Sequence, residues 1–90
     1  MNIYLISQSV NNDYDTFDSA VVVAKSAVEA RNINPQRSWG DHERLFVNWD
    51  DIGRWTSWCY KPSQVQVEYI GRASVKTKKP GVILASFNAG

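Results

Sequence analysis

A chain of 90 residues with ten basic and nine acidic side chains, net charge +1, lacks the basic excess of a protein that grips duplex DNA by neutralising phosphates. Its 43 % apolar and 21 % charged residues exclude a disordered chain, and the length closes one hydrophobic core but not two, which predicts a single domain over 1–90. Cys59 is the only cysteine, which rules out an intrachain disulfide and a disulfide-stapled secreted design, so a reducing cytoplasm is the expected compartment.

The opening MNIYLISQSV has no basic n-region and no long apolar h-region, and it reads as a first strand, IYLIS, rather than a signal peptide. The polar run NNDYDTFD is a loop. SAVVVAK follows as a strand whose apolar run is continuous, the pattern of a central strand. Ser26 and Glu29 then stand at capping-box spacing and open a helix of about two turns that Pro35 ends. On it, Val28 and Ile33 are expected to face the sheet. An irregular, tryptophan-rich segment occupies about 36–63, with a strand at RLFVNW and a helical turn opening at Asp50. In QVQVEYIGRA, Val65, Val67 and Tyr69 alternate with Gln66, Glu68 and Ile70, the period of a half-exposed strand. Lys76, Lys78 and Lys79 form a basic loop, read as a solvated hairpin tip whose charge discourages sheet-edge pairing. GVILASFNAG closes the chain as a strand held in the sheet by its hydrogen bonds. The expected fold is α+β: a two-layer sandwich with a mainly antiparallel sheet of four or five strands and one short helix packed on it. No stretch reaches the roughly 18 to 20 apolar residues that span a bilayer, so no membrane association is expected.

Three of the four tryptophans fall at Trp49, Trp55 and Trp58. Trp55 and Trp58, three apart, share a face on a helical turn, with Arg54 and Tyr60 beside them. Trp, Tyr and Arg dominate interface hot spots, so one reading is an anchor patch for a protein partner; the bland reading is a second small core under a loop-rich segment. Asp13, Asp15 and Asp18 crowd one turn. An EF-hand counted from Asn11 would need glycine at the sixth position and glutamate at the twelfth, where Thr16 and Val22 stand, so the calcium reading fails. A solvated turn or a patch complementary to a basic partner remains. Cys59 and His42 are too few for structural zinc, and their spacing gives no sign that they meet as a nucleophile and base. Asp50 and Asp51 are expected to cap a helical turn. No phosphate-binding glycine motif and no GxSxG occurs. No cofactor, no metal and no catalytic residue is therefore expected.

Taken together, YDTFDSAVVVAKSAVEA, VEYIGRA and GVILASFNAG resemble a family of short bacterial and prophage proteins. The resemblance covers roughly half of the chain, at its two ends, and leaves out the tryptophan-rich middle. It implies a similar fold and a phage or prophage setting inside a host bacterial cell; it carries no site residues and no activity. Small proteins of that setting often block a host machine, as anti-CRISPR and other anti-defence inhibitors do. The leading expectation is thus a non-enzymatic protein-binding module that inhibits a bacterial defence complex by steric or conformational blocking. Its working surface would combine Trp49, Arg54, Trp55, Trp58 and Tyr60 with the acidic turn of Asp13, Asp15 and Asp18. The alternative is a single-stranded nucleic-acid binder that stacks bases on the same aromatics with Arg37, Arg44 and Arg54. A third, an enzyme using Cys59 or His42, has no nameable substrate. A homodimer through an open sheet edge or the tryptophan-rich segment is compatible with each.

Overall fold

β-Branched and aromatic residues at both ends of the chain build one sheet, and described residues of the middle, among them Leu45, Trp58 and Cys59, close over one of its faces. A computed structural model of the chain describes residues 1–36, 45–53 and 56–88. Four strands, β1 (Asn2–Ser7), β2 (Thr16–Ala24), β3 (Gln66–Arg72) and β4 (Gly81–Asn88), form an antiparallel sheet in the order β3-β1-β2-β4. One short helix, α1 (Ala27–Arg31), packs on it, so the fold is an α+β sandwich as expected. β2 lies between β1 and β4, as its continuous apolar run requires.

Strand alternation sorts the side chains into two faces. On the covered face Ile6 lies beside Val67 and Ala20, and Ala20 beside Ala85; Tyr4 lies beside Tyr69 and Val22, and Val22 beside Val82. Ala30, Ile33, Leu45, Trp58, Cys59 and Val65 close over these rows to make the core. The other face carries the row Glu68, Leu5, Val21, Leu84 and, beyond it, Gln66, Ser7, Ser19, Ser86. Its residues are half-buried or exposed, with Leu84 69 % accessible.

Several local expectations shift. β2 begins at Thr16, so Thr16, Phe17 and Asp18 belong to the strand rather than to the preceding loop. α1 spans five residues instead of two turns, because the Nδ2 of Asn32 donates to the carbonyl of Val28 and ends the helix before Pro35 is reached. Its start is as expected: Ser26 Oγ accepts from Glu29 N, and Glu29 Oε1 accepts from Lys25 N. Val28, expected to face the sheet, is exposed; Ala30 and Ile33 are the buried pair, three apart. The described part of RLFVNW is not a strand: it makes one antiparallel bridge, Ile33 to Phe46, flanked by Asn34 N donating to Leu45 O and Val47 N donating to Asn32 O. The helical turn near Asp50 is a single 3-10 turn, Trp49–Asp51, capped by Asn48 Oδ1, which accepts from Asp50 N. Asp50 and Asp51 thus sit inside the turn and do not cap it.

The lysine loop departs most. β3 and β4 follow one another in sequence yet lie at opposite edges, so the 73–80 connection crosses the ends of β1 and β2 and is no hairpin tip. Ala73 N donates to Met1 O on the way, and Ala73, Ser74 and Thr77 join Ile3, Val23 and Ile83 around a cavity of about 370 Å³ on the face away from α1.

Two buried amides weld the β1–β2 turn to the distant 56–58 segment. Gln8 Nε2 donates to the carbonyls of Asn11 and Phe17, and its Oε1 accepts from Val10 N and Asn11 N. Asn11 Nδ2 donates to the carbonyls of Thr56 and Trp58, and Phe17 N donates to Ser57 O. Gln8→Ala strips partners from four backbone groups in a region where Gln8 and Asn11 are both 5 % accessible. Each group left unpaired away from water costs about 1–3 kcal/mol. Water entering the vacated space re-pairs some of them, so the expected loss is about 3 kcal/mol, read as a lowered urea midpoint with an unchanged slope.

Candidate functional site

Asp13, Asp15 and Tyr60 come together, although 45 positions separate Asp15 from Tyr60. With Asn11, Tyr14, Thr16 and Thr56 they line a cleft of about 450 Å³. The Gln8 and Asn11 bonds are what bring its two sides together, since Asn11 holds the 56–58 segment against the turn.

The acidic wall is rigidly seated. Thr16 Oγ1 donates to Asp13 O at 2.6 Å, and Asp15 N donates to Asn88 O at 2.7 Å. Asp15 adopts φ 60°, the left-handed region that aspartate tolerates better than most residues and that β-branched residues avoid. That reversal joins the turn to the end of β4, where Asn88 Nδ2 also donates to Asp13 O. Asp13, Tyr14 and Asp15 are exposed, Tyr14 to 76 %. On the opposite wall Tyr60 is also exposed, and its backbone is fixed by Gln64 Oε1, which accepts from Tyr60 N and Lys61 N. Two carboxylates and two phenol rings in one open cleft suit a cationic side chain: the carboxylates supply charge, and the ring faces attract a guanidinium or ammonium.

The other sequence-derived candidates are distributed differently. Asp18 is exposed on β2 and accepts from Ser19 Oγ; it is not among the residues lining the cleft. Trp58 is 2 % accessible and packs in the same core cluster as the sheet residues, so it belongs to the main core rather than to a second small one, and its ring is not at the surface. Trp49 is half-buried against the core, and its Nε1 donates to Asn32 Oδ1, so it fastens the 3-10 turn to the end of α1. Arg54 and Trp55 lie outside the described residues, as do Arg37, His42 and Arg44. Tyr14 and Thr56 were missed; the signal for Tyr14 was a large aromatic set between two aspartates in a polar turn.

Cys59 is fully buried. Burial pushes its thiol above the ordinary range, against a smaller lowering effect of the backbone at Lys61 and Cys59, and Sγ donates to Lys61 O at 3.6 Å. A thiol held protonated in this way is a small apolar core group and a poor nucleophile. Among the described residues no cluster of three or more His, Cys, Asp or Glu is placed to hold a metal ion, and no helix is long and apolar enough to cross a membrane. Compared with family models, curated proteins and solved structures, the chain matches none of them.

Proposed function

We propose that the chain is a non-enzymatic protein-binding module that uses the acidic, tyrosine-lined cleft to hold a basic segment of a protein partner. The observation that carries this reading is the meeting of Asp13, Asp15, Tyr14 and Tyr60 around one open cleft. Aromatic and carboxylate groups on a seated backbone bind an arginine or lysine with little ordering cost, because the turn is already fixed by Gln8, Thr16 and Asn88. The same carboxylates disfavour a phosphate backbone at this place, which sets the single-stranded nucleic-acid alternative behind the protein reading. The buried, protonated Cys59 speaks against thiol chemistry. The resemblance to short prophage proteins adds a target class: the partner would be a bacterial defence complex, inhibited by occlusion of a basic, nucleic-acid-facing surface that the carboxylates imitate.

Titration with an arginine-rich peptide, followed by backbone NMR shifts, is expected to perturb residues 11–16 and 56–60. Combining Asp13→Asn with Tyr60→Ala should weaken the peptide roughly tenfold, the effect of losing one desolvated contact of about 1.4 kcal/mol. Both side chains are exposed, so the melting temperature should hold. A peptide that shifts no cleft residue overturns the reading. A thymidine oligonucleotide that binds tightly at low salt and is released steeply with added salt replaces it with the nucleic-acid alternative.

A further inference from the structure

We propose that a second copy of this chain is an occupant of the acidic end, delivered by antiparallel pairing of two β4 strands into one eight-stranded sheet; this inference rests on the cleft's preference for basic segments argued above. β4 is an edge strand with β2 on one side and no strand on the other among the described residues. Edge strands are ordinarily protected by charge, proline or shortness. The opposite edge follows that rule, since β3 carries Glu68 and Arg72 and has a bulge at Ile70. β4 does not: its eight residues, GVILASFN, include no charged residue and no proline, and the two irregularities of its ladder, at Ile83 and at Asp18 of β2, lie within its pairing to β2. Ile83, Leu84 and Phe87 are 49 %, 69 % and 49 % accessible.

The charges at the two ends of this strand are opposite. Exposed Lys76, Lys78 and Lys79 lie just before Gly81. Exposed Asp13 and Asp15 are hydrogen-bonded through their backbones to Asn88 at the far end, and Asp18 is close by on β2. A two-fold axis beside Leu84, perpendicular to the sheet, sets position 80 of one copy opposite position 88 of the other. The last residues of the lysine loop of each copy, Lys78 and Lys79 beside β4, then approach the acidic turn of its neighbour, twice over, as an isologous interface requires. Lys79 and Asp15 fall on either side of the neighbour's Asn88, about two strand spacings or 10 Å apart between Cα atoms, a gap their side chains bridge. The same axis sets the two Leu84 side chains together and joins the row Glu68, Leu5, Val21, Leu84 to its counterpart. Covering both edges and their exposed apolar side chains removes on the order of 1,000 Å² from water, the lower bound of a specific interface. Association is therefore concentration-dependent and reversible, with charge supplying register and direction.

Sedimentation of the intact chain over a concentration series is expected to show a monomer-dimer equilibrium that weakens with added salt. Two charge-reversed chains give the decisive arm, one carrying Lys76→Glu, Lys78→Glu and Lys79→Glu, the other Asp13→Lys and Asp18→Lys. Each alone should self-associate roughly tenfold more weakly than the native chain, and mixing the two should restore the dimer as a heterodimer. Leu84→Glu, at an exposed position, should give a folded monomer that still binds the arginine-rich peptide more tightly than the native chain at equal concentration. A native chain that stays monomeric throughout, or reversed chains that dimerise as well alone as mixed, overturns the inference. Peptide binding by that monomer would leave the proposed function standing, and its absence would remove both.

Discussion

A chain stopped after Lys79 is expected not to fold: its far-ultraviolet circular dichroism should be that of a coil, with no cooperative melting transition. Among the described residues β4 is the neighbour of β2 on that side of the sheet, with seven residues of β2 in register against it. Its removal turns the central strand into an edge. It also uncovers Val22 and Ala20, which Val82 and Ala85 flank, and takes Phe87 from its ring contact with Phe17 at 4.8 Å. Ladder hydrogen bonds contribute about 1 kcal/mol each and a buried valine about 2 kcal/mol, so the deletion removes an amount comparable with the whole stability of a small domain, about 5–15 kcal/mol. The strand also anchors the cleft, because Asn88 O accepts from Asp15 N. A synthetic peptide covering 80–90, added in trans, should restore the sheet signal. Circular dichroism and melting unchanged from the full-length chain would contradict this layout.

The sheet was largely legible because its strands announce themselves by local composition. VVVA is continuous and lies inside; VQVEY alternates and lies at an edge. The order of the strands was less so. A lysine-rich connection reads as a hairpin tip by its composition, yet with β3 ending at Arg72 and β4 starting at Gly81 it has eight residues, longer than the two to five of ordinary hairpins. Length was the available signal for a crossover, and charge composition concealed it. Val28 shows a related limit: apolar character suggested burial, but the helix ends after five residues and its small residue, Ala30, is the one that fits against the sheet.

The cleft divides in the same manner. The acidity of Asp13 and Asp15 and the aromatic surplus near Tyr60 were both visible in the sequence, each as a local cluster. Their meeting depends on Asn11, whose amide spans 45 positions to Thr56 and 47 to Trp58, and no periodicity encodes that contact. Gln8 and Asn11 look like ordinary turn residues in a polar stretch; only their burial marks them as the hinge of the site. The tryptophans illustrate the converse. Spacing alone put Trp55 and Trp58 on one face, while burial assigns Trp58 to the core and the Asn32 bond gives Trp49 a fastening role.

Trp58 carries the other large effect, and the choice of replacement separates its two contributions. Its ring is fully packed among the core residues, so Trp58→Ala should cost about 3–5 kcal/mol through lost burial and the cavity left behind. In a domain of this size that corresponds to a fall in melting temperature of about 15 °C or more. The indole Nε1, however, is buried with no hydrogen-bond partner among the described residues. An unpaired buried donor costs about 1–3 kcal/mol, so Trp58→Phe, which keeps most of the ring volume and deletes the donor, should recover that penalty while losing a smaller cavity term. The expected net change for phenylalanine is within about 1 kcal/mol of the native chain. The backbone of Trp58 continues in both variants to accept from Asn11 Nδ2 and to donate to Thr56 Oγ1, which keeps the cleft wall in place. Urea unfolding of the three chains side by side makes the comparison. If phenylalanine costs as much as alanine, the indole nitrogen has a partner that stabilises it, and Trp58 is held by a polar contact as well as by packing.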